Sequence, residues 1–351
     1  MTRFERVGLG AVLTLVVCAG IARYATGVPD VAAFSLAALA LAGQAWVVSQ
    51  ATEQVGMRHG PAVTGLLQST VGNLPEFFVV IFALQAHDTT VAETALIGSV
   101  LANALLVLGL VLVAGSVGAP GGLMRFNARL PKDAATLLLV ASITIVLIAV
   151  VAHAHGGAVP HVEAISLVGA VALLAAYAVW MRQYLRSERS VAAAGESRRL
   201  GLSMPMAVGL LVLAGGGSAL VSDWFIHALT PAIHTLHLSR TFAGIVIVAI
   251  AGNAVENVAG IYLARRGHHD LAIAVVKNSV VQIAAFLYPL LVLISLLTAS
   301  RLTLSIPSVW AAALIGTAIL VWQITGDGEG TVFEGVALIA VYLVVAAIAA
   351  F

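Results

Sequence analysis

Two glutamates stand where carboxylates are costly. Glu76 closes the string Gly72-Asn73-Leu74-Pro75-Glu76 and Glu256 closes Gly252-Asn253-Ala254-Val255-Glu256, each inside an apolar stretch. Ionisable side chains within membrane segments are expensive and mark ion pathways. Burial disfavours the charged form of a carboxyl, whereas a bound cation favours it, so protons and cations compete for the same oxygens. A second polar cluster follows each string: Ser99 and Asn103 in the first half, Asn278, Ser279 and Gln282 in the second. Gly72 to Ser99 and Gly252 to Ser279 are both 27 residues.

A hard cation such as calcium takes six to eight oxygen ligands in a flexible shell. Glu76 and Glu256, the amides of Asn73, Asn253, Asn103 and Gln282, the hydroxyls of Ser99 and Ser279, and backbone carbonyls offer them. No thiolate or imidazole lies at this depth, which argues against a soft-metal site. Gly72 and Gly252 read equally as close-packing positions and as points of local unwinding. Pro75 favours unwinding, because it cannot donate to the carbonyl four residues back, at Val71. Lys277 lies inside a span, either snorkelling to the interface or serving as an internal cation beside the carboxylates. The ten histidines fall in loops or at span ends; His153, His155, His161, His227, His234 and His237 are placed outside, where they read as solvated loop residues, with a regulatory metal or pH site as the alternative.

The elements that hold these residues follow from composition. Charged residues are 9% and hydrophobic residues 61% of 351, unlike a water-facing surface. Apolar runs of about 20 residues cross a bilayer as helices. Eleven are predicted: 7–25, 31–51, 62–86, 91–115, 134–152, 162–182, 204–224, 240–264, 270–297, 305–324 and 333–350. The first is read as a retained helix, since no small-residue cleavage site follows Cys18. With the N-terminus cytoplasmic, the inner loops hold thirteen Lys and Arg and the outer loops three, Arg23, Arg240 and Arg301. The C-terminus then lies outside, and a cell (inner or plasma) membrane is the expected location.

The expected organisation is an N-terminal helix (1–29), a first five-helix repeat (30–184), a cytoplasmic linker (185–203) and a second five-helix repeat (204–351). Five is odd, so the repeats cross in opposite senses. Inverted repeats that meet near the midplane are an architecture of secondary transporters. The fold expected is therefore all-α and integral to the membrane.

Further residues carry a resemblance. Ala51-Thr52-Glu53, Arg58, Gly60-Pro61 and Gly65-Leu66-Leu67 lead into the first string, and Gly98 to Asn103 with Leu108-Gly109 follow it. Phe286, Pro289, Asp327-Gly328 and Glu334-Gly335 follow the second. From about residue 44 to the C-terminus the chain resembles the cation/proton exchanger (CAX) branch of the calcium/cation antiporter superfamily. The resemblance implies eleven helices and calcium efflux driven by proton entry, with Glu76 and Glu256 binding calcium or protons. Four departures bear on the cation: Leu74-Pro75 replaces Ala-Thr, Asn257 replaces a histidine, Asn278 preceded by Lys277 replaces a glycine, and the mid-chain loop is basic. Pro75, Asn257 and Lys277 are thus the candidate modulators. Sodium or potassium exchange for protons at the same site is the alternative, and a cation channel a more distant one.

No His-Glu-x-x-His, Gly-x-Ser-x-Gly or Walker phosphate loop points to an enzyme. No cofactor is implied beyond the transported cation and protons. The expected partner is membrane lipid, a net charge of +1 marks no nucleic-acid surface, and no motif fixes an oligomeric state.

Overall fold

A computed structural model describes residues 3–59, 72–154, 157–192, 204–298 and 300–351. The apolar runs become helices, because a chain in lipid satisfies its backbone N–H and C=O groups within each segment. In order they are α1 (Arg3–Tyr24), α2 (Asp30–His59), α3 (Leu74–Gln85), α4 (Thr89–Gly118), α5 (Arg129–His153) and α6 (Val162–Ala192). There follow α7 (Met204–Leu236), α8 (Arg240–Gly252), α9 (Ala254–Arg265), α10 (His269–Leu297), α11 (Ser308–Ile324) and α12 (Val332–Ala350). The protein is a multi-pass membrane protein: among the described residues eight helices are long and apolar enough to cross a bilayer, and the bent pair α8 and α9 makes a ninth if it is one span. α3 and α11 are shorter apolar helices.

Burial ranks the helices by position. In α4, 83% of the apolar window is enclosed, against 17% in α1, so α4 is central and α1 peripheral. α4 crosses α8 almost backbone to backbone. A Cβ added at Gly98 would stand 2.4 Å from Ile245 Cα, and one at Gly244 would be 2.7 Å from Thr94 Cβ. A second such crossing joins α4 to α12, where a Cβ on Gly109 or Gly335 would meet the other's carbonyl oxygen at 2.6 Å. Small residues permit this approach, and dispersion contacts between the backbones reward it.

Among the described residues three helices contain π-helical turns: Ala102–Val107 in α4, Ala243–Val248 in α8 and Ile283–Leu287 in α10. Such turns widen the helix and collect at functional positions. Along α10, the face of α6 lays down an aromatic ladder. Tyr177 stacks on Phe286 of the π turn at 5.2 Å, and Trp180 stacks on Tyr184 at 5.4 Å.

The connections gather at two ends. At one, strands β1 (Leu123–Arg125) and β2 (Glu329–Thr331) pair antiparallel, with Leu123 opposite Thr331 and Arg125 opposite Glu329. There the Asn127 N–H donates to Asp270 at 2.6 Å, tying the start of α10 to the same end. At the other end His87 meets Ser300 at 3.0 Å, Arg240 pairs with Asp88 at 3.1 Å, and Thr235 bonds Asp30 at 3.3 Å. Ser239 also donates to the carbonyl of Ala349 there.

Three predicted boundaries are corrected. The run 31–51 continues as α2 to His59, the run 162–182 as α6 to Ala192, and the run 204–224 as α7 to Leu236, with Pro231 inside it. His227 and His234 are therefore helical, not loop residues.

Candidate functional site

In both strings the asparagine caps the start of a helix, and in the second the break separates α8 from α9. Asn73 (φ −93°, ψ 20°) caps α3 and Asn253 (φ −100°, ψ 15°) caps α9, in the same sparsely used region of backbone space. α8 and α9 diverge by 57° across that break. Helix ends leave N–H groups without intrahelical partners, and the aligned peptide dipoles favour negative charge there. Glu76 and Glu256 are each the third residue of their helices. Pro75 sits in the first turn, where a missing N–H costs nothing and a fixed φ is already helical. Val71, whose carbonyl Pro75 was expected to free, lies outside the described residues, as do Gly60-Pro61 and Gly65-Leu66-Leu67 of the approach segment.

Glu76 is buried and lies against the other string: a Cβ on Gly252 would be 3.0 Å from Glu76 Oε1 and 3.2 Å from its Cγ. Gly252 thus makes room for the carboxylate, a role that neither of its sequence readings named. The side chain of Glu256 lies outside the described residues. Gly72 is half-buried, one residue before the cap Asn73.

The remaining polar residues form a buried network across the two halves. Asn253 Nδ2 donates to Ser99 Oγ at 2.9 Å and to the Ala249 carbonyl at 2.9 Å. Its Oδ1 accepts from Asn103 Nδ2 at 2.8 Å, and the same amide reaches Ser279 Oγ at 3.2 Å. Asn73 Nδ2 donates to Gln282 Oε1 at 3.3 Å. Each string's asparagine therefore bonds to the polar cluster of the opposite half. The structure brings together Glu76, Asn73, Asn253, Gly252, Ser99, Asn103, Ser279 and Gln282. Among the described residues no three His, Cys, Asp or Glu lie close enough to hold a metal ion, so the donors gathered here are amide, hydroxyl and carboxylate oxygens.

The three candidate modulators part company. Pro75 touches α7, where Ser222 Oγ donates to its carbonyl at 3.4 Å. Asn257 follows Glu256 on α9, and its Oδ1 is buried with no hydrogen bond among the described residues. Lys277 is 3% exposed and donates to Thr325 Oγ1, so it does not snorkel. Asn278, where the resemblance expected glycine, turns away from the network and donates to Tyr184 OH at 3.1 Å.

Sequence reasoning missed one feature. A cleft of about 520 Å³ opens between α3 and α7, lined by Phe82, Gln85, Asp223, His227 and Thr230 among others. Asp223 Oδ1 lies 3.3 Å from His227 Nδ1. The Ser222–Pro75 contact stands one residue from Glu76 and one from Asp223, so the two helices touch beside the carboxylate and part toward the end holding His87. The i, i+4 spacing of Asp223 and His227 was the available signal.

A sequence profile of the sodium/calcium exchanger protein family matches residues 30–182 and 206–351. The chain belongs to this family. It is 31% identical to a vacuolar calcium ion transporter of Schizosaccharomyces pombe over 89% of this chain and 77% of that one. It is 29% identical to a Ca2+/H+ antiporter of Bacillus subtilis over 91% of this chain and 92% of the relative. The structure of native YfkE superposes with a TM-score of 0.81 at 26% identity, covering 98% of both chains. An H+/Ca2+ exchanger CAX structure shares the fold at a TM-score of 0.78 and 18% identity, covering 99% of this chain and 92% of that one. These relatives are transporters.

Proposed function

We propose that this exchanger moves calcium in one direction and protons in the other by alternating access, with Glu76 and Glu256 as the shared binding groups. The observation that carries the reading is the reciprocal network: Asn253 on Ser99, Asn73 on Gln282, and Glu76 pressed against Gly252. Oxygens from both halves converge on one buried point beside two helix N-termini. Desolvated carboxylates there need either a cation or protons to neutralise them, and cannot hold both loads. That exclusion is the coupling. The names of the similar proteins, Ca2+/H+ antiporter and vacuolar calcium ion transporter, support calcium over sodium or potassium as the cation.

The architecture we propose is eleven membrane helices: 1–29 as an N-terminal helix, inverted five-helix repeats at 30–184 and 204–351, and a cytoplasmic linker at 185–203. The eight long spans, the bent pair and the two shorter apolar helices support that number. So does the sorting of loops, since bonds join 25–30, 86–90, 237–240 and 298–305 at one end and 119–128, 266–270 and 325–331 at the other. The repeat is supported by the matched helix-cap conformations of Asn73 and Asn253. It is also supported by the left-handed residues His87 (φ 59°) and Gly267 (φ 78°), which are spaced as those caps are. Basic-residue bias supports a cytoplasmic N-terminus and an outer C-terminus in the cell membrane. The α3–α7 cleft is then the outer mouth of the site.

Purified protein in liposomes tests the function. An imposed proton gradient is expected to drive uptake of labelled calcium. A gradient that moves sodium or potassium but not calcium would transfer the assignment to the monovalent exchangers.

A further inference from the structure

Asp223 is an intramembrane carboxylate that the exchange mechanism above leaves unused. It lies near the middle of the α7 span, which runs from Val208 to Leu236. An ionisable group at such depth is costly and marks an ion pathway. With His227, one turn further on, it lines the cleft of about 520 Å³ that faces Phe82 and Gln85 of α3. Ser222 Oγ reaches the Pro75 carbonyl at 3.4 Å, and Asp223 and Glu76 are the next residues on the two chains. Standard backbone lengths then place the Cα atoms of Asp223 and Glu76 no more than about 13 Å apart.

The pair has a defined polarity. His227 Nδ1 stands 3.1 Å from the Asp223 carbonyl oxygen and 3.3 Å from Asp223 Oδ1. Both oxygens are acceptors, so Nδ1 carries a proton, and Nε2 is the atom left to gain or lose one. The two side chains are accessible, His227 at 55% and Asp223 at 35%, so an ion can reach them. From α3 the cleft receives Phe82, Gln85 and Ala86, none of which titrates. Charged groups on the other elements at this end are engaged elsewhere: Asp30 of α2 with Thr235, Asp88 with Arg240, and Arg23 of α1 over the Tyr24 ring. His234 stands about 10 Å further along α7.

An i, i+4 pair steadies a helix only slightly, which does not account for two ionisable groups in midspan. We propose that Asp223 and His227 form a loading station in the outer mouth, where a divalent cation and a proton displace one another on the way to or from Glu76. The inference rests on the antiporter reading and on the outward orientation of the cleft. With His227 neutral, the pair carries one negative charge, and the Asp223 carboxylate holds a hard cation. A proton taken up at Nε2 from the outer solution cancels that charge and releases the ion to the same solution. Acid outside therefore helps exported calcium to leave and hinders its return.

Uptake of labelled calcium by membrane vesicles of both orientations, each with an acid lumen, tests this. Calcium enters right-side-out vesicles from the outer face and everted vesicles from the inner face. Asp223→Asn should raise the outer-face KM for calcium roughly tenfold, since one nearby charge is lost to a divalent ion, and leave the inner-face KM unchanged. His227→Gln should match the native outer-face KM at about pH 8 and stay below it at about pH 6, because no proton can then cancel Asp223. Equal changes at the two faces, as a packing defect would give, would overturn the station. So would a shift confined to the inner face, or an unchanged outer-face KM in a folded Asp223→Asn protein. A native protein that takes up no calcium in either orientation would instead count against the antiporter reading.

Discussion

The Glu76 carboxylate occupies the space that a side chain on Gly252 would take, with Oε1 3.0 Å from the position of a Cβ there. A residue of the first half is thereby seated on the backbone of the second. Gly252→Ala is expected to displace the carboxylate by several tenths of an ångström and to weaken calcium binding about tenfold or more, since misplacing a ligand of a desolvated ion is costly. Gly216→Ala is the control, because a Cβ there meets nothing within 4 Å. Equal calcium affinities in the two variants would show that the seat does not matter.

Glu76→Gln and Glu256→Gln should each abolish proton-driven calcium uptake and still elute as folded protein on size exclusion. The amide keeps the shape and removes the charge that both loads require. Substantial coupled flux in either variant would refute the paired-carboxylate mechanism.

Gly98→Ala forces a Cβ to within 2.4 Å of Ile245 Cα, a backbone atom that has no rotamer to yield with. Overpacking of this kind costs about 1–3 kcal/mol or more. The expected readout is a lower thermal midpoint in detergent, with a similar loss for Gly244→Ala. A native-like midpoint in both would mean that the crossing of α4 and α8 is looser than described.

Asn257 carries a buried oxygen with no hydrogen-bond donor among the described residues. Asn257→His puts a titratable ring one residue after Glu256 in the chain. An imidazole gains its proton below about pH 6.5, and the added positive charge repels a cation. Calcium exchange by the variant should therefore fall, relative to the native protein, as pH drops through that range, and match it more closely above. Parallel pH profiles for the two proteins would place Asn257 outside the cation's reach.

Sidedness has its own test, since Cys18 is the single cysteine. In a Cys18→Ser background, a membrane-impermeant thiol reagent applied outside intact cells should label Ser300→Cys and leave Asn127→Cys unlabelled. The reverse pattern would invert the proposed orientation.

Much of this site was legible in the sequence because its signals are local and repeated. Gly-Asn-x-x-Glu recurs at matched depth, and Ser99 and Ser279 follow at equal spacing. What sequence could not supply depends on distant partners. Gly98 and Gly244 look like any of 33 glycines until two helices cross. Thr325 is far along the chain from Lys277, and Tyr184 from Asn278, so neither bond has a spacing to betray it. The π turns at Ala243–Val248 and Ile283–Leu287 fall in uniformly apolar stretches, where no polar residue marks a change of period. The predicted run ends at 224, just past Asp223 and before His227 and Pro231. In the structure the two ionisable groups turn into a cleft and α7 continues past them.

The contact between Gly98 and Ile245 has a mechanical consequence. Two helices that meet through backbone atoms have almost no compressible side-chain layer between them, so they can neither slide nor tilt far without separating. Ser99 rides on one, and the helix leading to Asn253 is the other. Opening the site first to one face and then to the other must leave this pair as the stator. The rotating parts are then the helices that meet the stator through side chains, with α7 and its Ser222–Pro75 contact nearest to Glu76. A crossing built this way holds Ser99 and the helix that leads to Asn253 at one separation while the doorway beside Glu76 changes.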